Sequence, residues 1–174
     1  MPPDEIPKQF LNPCTLFAHR DEHLVSTILG SCVAVCLWDQ VLQCGGMNHY
    51  MLPLWNGDGL ATPKYGNVAI EKLLRRMLDL GCMKKNLVAK LFGGANVLNV
   101  GPGLFPVGER NCMVAEQLLS EHGIKIVASS LGGIRGLKII FNTKQGSVLV
   151  AKLGNSGSAP PLPDGRPKES LPAR

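Results

Sequence analysis

Apolar residues recur at helical spacing over one clear stretch of this chain: Ile70, Leu73, Leu74, Met77 and Leu78. Glu71, Lys72, Arg75, Arg76 and Asp79 fall on the opposite side. A helix with a single apolar face needs an apolar layer to lie on. The flanking sequence supplies candidates. Val33 to Trp38 reads as a buried strand, Asp39-Gln40 as a turn, and Val41 to His49 as a second strand whose Gly45-Gly46 pair suggests a bulge or a close backbone approach. Thr62 is placed to cap the helix with Pro63 in its first turn, and Gly81 to close it. After a short strand, Leu87 to Phe92, comes a glycine-rich loop from Gly93 to Gly108. A second helix then runs from about Glu109 to His122, with Val114, Ala115, Leu118 and Leu119 inward and Gly123 as its cap. Strands at Ile124 to Ser129, Leu137 to Asn142 and Ser147 to Leu153 complete the pattern, the last two joined by a turn at Thr143-Lys144-Gln145-Gly146. The order β-β-α-β-α-β-β-β predicts an α+β fold, a single domain with mixed β-sheets flanked by helices. Residues 1–22 read as an N-terminal extension and 23–153 as the domain. Residues 154–174, rich in proline, glycine and serine, read as a disordered tail.

With 174 residues, 45% of them hydrophobic and 18% charged, the chain can bury a core of its own. No apolar run is long enough for a membrane span, and Met1 to Phe10 lacks the pattern of a signal peptide, so a cytoplasmic location is expected. The six cysteines (Cys14, Cys32, Cys36, Cys44, Cys82, Cys112) sit mostly in apolar segments and are read as reduced thiols. A net charge of +5 spread over scattered lysines and arginines gives no nucleic-acid footprint.

One local feature points to chemistry. Leu29-Gly30-Ser31-Cys32 lies between two apolar segments, and glycine just before a nucleophile permits a tight turn with open amide N–H groups. The amides of Ser31 and Cys32 are placed to stabilise an oxyanion. A thiol needs a base at neutral pH, and His49 is a candidate because it ends the strand after the one Cys32 begins. Taken alone, a cysteine flanked by valine and alanine reads more readily as a small buried hydrophobe. A zinc site from Cys32, Cys36, Cys44 and His49 is the other reading. It lacks paired close cysteines, and on a strand Cys32 and Cys36 would stand about 13 Å apart. Gly93-Gly94-Ala95-Asn96 and Gly101-Pro102-Gly103 lack the ending of a phosphate loop, and His19, His23 and His122 read as surface or cap residues.

The run Thr27-Ile28-Leu29-Gly30-Ser31-Cys32-Val33-Ala34-Val35-Cys36-Leu37, followed by Gly46-Met47-Asn48-His49-Tyr50-Met51-Leu52-Pro53, resembles the chemoreceptor glutamine deamidase family, CheD. Lys64-Tyr65-Gly66, Phe92-Gly93-Gly94-Ala95-Asn96, Gly108-Glu109-Arg110-Asn111 and Gly132-Gly133 extend the likeness over most of Val25 to Leu153. The resemblance implies a cysteine-dependent hydrolase that converts glutamines of methyl-accepting chemoreceptors into glutamates, without metal or cofactor. Its fold would be like the catalytic domains of cysteine-dependent deamidating toxins, and a CheC-type phosphatase would be a second partner. The family's cysteine maps onto Cys32, its histidine onto His49 and its threonine onto Thr27, with Ser26 selected instead if the register shifts by one. Ser130, where the family pattern has aspartate, and Leu137, where arginine is common, depart from it. A helical glutamine substrate implies a shallow groove.

Overall fold

The computed structural model describes residues 4–98 and 106–154. Among the described residues, nine strands and two α-helices follow in chain order: β1 (Lys8–Phe10), β2 (Thr15–His19), β3 (Leu24–Leu29), β4 (Val33–Asp39), β5 (Cys44–His49), α1 (Gly66–Asp79), β6 (Leu87–Gly93), α2 (Val107–Glu121), β7 (Lys125–Leu131), β8 (Leu137–Asn142) and β9 (Val148–Lys152). The strands form a four-stranded sheet in the order β1-β3-β8-β9 and a five-stranded sheet in the order β2-β5-β4-β6-β7. Parallel pairs (β1 with β3, β6 with β7) and antiparallel pairs occur in both, so the fold is α+β with mixed sheets.

Alternation along β4 explains the layering. Val33, Val35 and Leu37 point to a core shared with Ile70, Leu73, Met77, Ala115 and Leu119 of the two helices. Ala34 and Cys36 point the other way, into a second core with Val25 and Leu29 of β3 and Ile139 and Phe141 of β8. The five-stranded sheet is thus covered by helices on one face and by the four-stranded sheet on the other. Every residue of β4 except Trp38 is buried, as expected for a strand at the centre of three layers.

Several expectations are corrected. The stretch read as an N-terminal extension contributes β1 and β2, one to each sheet. Helix α1 starts at Gly66 with Tyr65 as an N-cap that makes no side-chain bond, not at Thr62-Pro63. The reason is that Lys64 C=O accepts from Met51 and Leu52 N–H, and Gly66 N–H donates to Leu52 C=O, so this segment is tied to the chain after β5 before it can wind. Leu78, assigned to the apolar face, is exposed. The strand expected from Val41 begins only at Cys44. Asp39, fully buried, accepts from Val41 and Leu42 N–H at 2.9 Å each and holds those residues in a turn. The register of β5 on β4 runs unbroken through Gly45-Gly46, so these glycines form no bulge. They allow close approach instead: a Cβ on Gly46 would stand 2.7 Å from Ala18 Cβ. Gly101-Pro102-Gly103 and the tail from residue 155 lie outside the described residues. Among the described residues, no helix is long and apolar enough to cross a membrane.

Candidate active site

Strand β3 alternates between half-buried and buried positions, and Val25, Thr27 and Leu29 occupy the buried face toward the second sheet. Thr27, not Ser26, therefore reaches the inter-sheet space. His49 closes β5 and is only 2% exposed. Its Nδ1 lies 2.8 Å from Thr27 Oγ1, and the same hydroxyl lies 2.7 Å from the carbonyl of Leu11. A carbonyl can only accept, so the single hydroxyl proton goes to Leu11 and the threonine oxygen accepts from Nδ1–H. This assigns the imidazole tautomer and leaves Nε2 without a proton. Nε2 is buried and has no hydrogen-bond partner among the described residues.

Cys32 lies on the same face. Its side chain packs against the inter-sheet core that contains Ala34, Cys36 and Met47. Cys36 pairs with Met47, and Val33 with Tyr50, at one constant register. Ala34 is therefore opposite His49, and Cys32 follows two positions along on the same side, just before the strand begins. Between these pairs the ladder opens, and Val35 N–H donates to Asn48 Oδ1 at 2.8 Å. Cys32 and His49 thus lie on one face of the sheet, with no hydrogen bond between Sγ and Nε2 among the described residues.

The loop carrying Cys32 is held by its carbonyls. Gly30 C=O accepts from Ala95 N–H (2.9 Å), Ser31 C=O from Asn111 Nδ2 (2.9 Å), and Cys32 C=O from Gly94 N–H (2.8 Å). Tethering successive carbonyls fixes the peptide planes and hence the directions of the intervening N–H groups. Gly93 and Gly94 make the approach possible: a Cβ at Gly93, where φ is +105°, would fall 2.1 Å from the carbonyl oxygen of Cys32. The glycines that raised the question of a phosphate loop cradle the cysteine turn instead.

Burial sets the resting charge state. Desolvation, reinforced by nearby Cys14, raises the Cys32 thiol above its ordinary value, while its own backbone N–H works in the other direction. Desolvation lowers His49 to about 4. At neutral pH the site therefore rests as thiol and neutral imidazole.

Residues 51–152 match the family model described as CheD chemotactic sensory transduction. The chain is 54% identical over 147 residues to the probable chemoreceptor glutamine deamidase CheD of Trichlorobacter lovleyi, covering 84% of this chain and 91% of that protein. It is 51% identical over 148 residues to the protein of the same name from Sulfurimonas denitrificans, covering 84% and 94%. With the one from Rhodospirillum rubrum identity is 46% over 147 residues, covering 84% and 83%. The chain belongs to the CheD family.

The stretch matched by the CheD model begins after Thr27, Cys32 and His49, so these three stand on the geometry and on the resemblance of their own motifs. Within that stretch lie Gly93, Gly94 and Asn111, whose contacts with the cysteine loop the motifs alone did not reveal. Leu11, the acceptor that orients Thr27, is signalled by no motif at all. Two CheD-pattern departures are placed: Leu137 sits in the inter-sheet core opposite Leu29, and Ser130, on β7, pairs with Phe92 of β6. The four residues weighed for zinc do not converge, because Cys36 belongs to the inter-sheet core and Cys44 to the helical one. His19 and His23 pack around Phe17, and His122 caps α2 and pairs with Glu71.

Proposed function

We propose that this chain hydrolyses the side-chain amides of specific glutamines on bacterial chemoreceptors, releasing ammonia and leaving glutamate, with Cys32 as nucleophile and His49 as base. The observation that carries the reading is the relay Leu11–Thr27–His49, which leaves a proton-accepting Nε2 on the face where Cys32 lies. The names of the relatives supply the substrate class.

The chemistry starts from neutral partners. Rotation of the Cys32 side chain brings Sγ to Nε2, which takes the thiol proton as sulfur attacks the amide carbon. The N–H groups of Ser31 and Cys32 receive the developing oxyanion. The imidazolium returns its proton to the departing nitrogen, ammonia leaves, and a glutamyl thioester remains. Water then gives a proton to Nε2 and its oxygen to the acyl carbon, and the sulfur leaves as thiol by recovering that proton. Thr27 acts through His49, holding Nδ1–H while the imidazole charges. No step calls for a metal or cofactor.

Each turnover replaces a neutral amide by a carboxylate on a receptor helix, which changes repulsion in the bundle and creates a site for methylation. This reading places the protein in the cytoplasm, in chemotactic adaptation, with a CheC-type phosphatase as a second partner that co-elution with the purified protein would test. The direct test is incubation with receptor cytoplasmic fragments from the same cell and mapping of glutamine-to-glutamate changes by peptide mass. Conversion at discrete glutamines is expected. Unchanged receptor peptides beside a folded, reduced protein would overturn the proposal.

A further inference from the structure

Thr27 holds the base from the inter-sheet side; a second buried group holds the site from the side of the helices. Asn111, in the first turns of α2, is fully buried. Its Nδ2 donates to the carbonyl of Ser31 and to that of Met51, both at 2.9 Å. A carboxamide nitrogen carries two protons, and both are used. The main-chain carbonyl of Asn111 accepts from the hydroxyl of fully buried Tyr50 at 2.6 Å. Ser31 immediately precedes Cys32, while Tyr50 and Met51 immediately follow His49. One helical position therefore grips the nucleophile turn and the end of the base strand together.

The amide is locked in this orientation. Reversal would point Oδ1 at two carbonyl oxygens, acceptors against acceptor. As it stands, Oδ1 is buried with no partner among the described residues. An orphaned buried acceptor is unfavourable, and packing alone would be better served by an apolar side chain of similar size. What only asparagine supplies here is a double donor reaching two segments of chain.

Resting on the cysteine–histidine reading above, we infer that Asn111 is a positioning residue: by joining the carbonyls of Ser31 and Met51 it sets the separation at which the Cys32 thiol and the His49 imidazole meet. It touches neither group. Its removal lets the two segments drift, and misplacement of reacting groups by about 1 Å typically costs on the order of 100-fold in rate.

The test uses the full chain carrying Asn111→Ala, with folding checked by circular dichroism and thermal melting. Receptor-fragment deamidation should lose about 100-fold in kcat with KM within about threefold of the parent. The decisive readout needs no receptor: the rate of Cys32 alkylation by iodoacetamide at pH 7, with and without His49→Ala, in the parent and in the Asn111→Ala background. In the parent, His49→Ala should slow alkylation. In Asn111→Ala it should make little further difference, because the coupling is already lost. A kcat within twofold of the parent, or a His49→Ala effect of unchanged size in the variant, overturns the inference and leaves the catalytic reading intact. A parent in which His49→Ala leaves alkylation unaltered overturns the catalytic reading and the inference with it. If Asn111→Ala does not fold, Asn111→Ser decides by the same two measurements, since a hydroxyl donates one hydrogen bond and cannot join both carbonyls.

Discussion

The two halves of the site are built differently. His49 ends a strand paired on both sides, with Thr15 across from it in β2, and its ring is fixed by a hydroxyl that is itself anchored to Leu11. Cys32 lies outside any strand, half-buried, on a turn held by carbonyl tethers to Gly94, Ala95 and Asn111. The proposed base, His49, is therefore set by sheet register and the proposed nucleophile, Cys32, by loop contacts. A register cannot drift without moving the whole face, whereas a tethered turn yields when one tether is lost. The cysteine half is where the site adjusts, and where substitutions far from the sulfur should reach it.

The largest expected effect of breaking that arrangement short of the reacting atoms is at Gly93. Gly93→Ala puts a methyl into the Cys32 carbonyl at a left-handed backbone position, costing roughly 3 kcal/mol of stability. Chemical denaturation should show the loss, and receptor deamidation should fall with it. Unchanged stability would mean that the turn is not cradled as described.

The histidine half is sharpened by pH. His49 titrates near 4 when folded and near 6.5 when exposed, so between these values the unfolded chain binds more protons. This contribution to stability is complete above pH 6.5 and shrinks as the pH falls toward 4, by about 2 kcal/mol between pH 7 and 4.5. Urea unfolding at those two pH values should show that decline, and His49→Gln should flatten it. An equally steep decline in the variant would remove His49 as its source.

Thr27→Ala should lower kcat about 10-fold, as the ring loses its orienting acceptor, and cost about 1 kcal/mol of stability by orphaning the Leu11 carbonyl. Thr27→Ser should retain most of the rate. A serine variant as slow as alanine would indicate that the methyl, not the oxygen, matters. Smallest of all, Cys36→Ala should leave deamidation within about twofold while costing about 1 kcal/mol. Cys36 is fully buried and its thiol is pushed well above the usual range by desolvation, so it packs rather than reacts.

The same contrast governs what the sequence revealed. The buried stripe Ile70, Leu73, Leu74 and Met77 was legible because burial on one face imposes a period, and Leu137 to Asn142, buried at every position but Ile140, as a short apolar run before a turn. That Cys32 and His49 lie toward the same inter-sheet core was legible because antiparallel neighbours bring the start of one strand beside the end of the next. Lys8–Phe10 is exposed at all three positions and has no period to read; it is a strand only because Leu24, Val25 and Ser26 pair with it. Asp39 redirects the following chain through side-chain acceptance of backbone N–H groups, an effect that the apolar residues Val41 and Leu42 disguise. The roles of Leu11 and Asn111 depend on contacts across 16 and 80 positions of sequence. The motif Gly108-Glu109-Arg110-Asn111 marks the second residue but not its contacts, and no local pattern marks Leu11.

The account rests on a sulfur and an imidazole acting as one unit, and single substitutions at those two positions test it most directly. Receptor fragments incubated with Cys32→Ala or His49→Ala, both verified as folded, should show glutamine-to-glutamate conversion at least about 1,000-fold slower than with the parent protein. Conversion by Cys32→Ala at the parental rate would contradict the account outright.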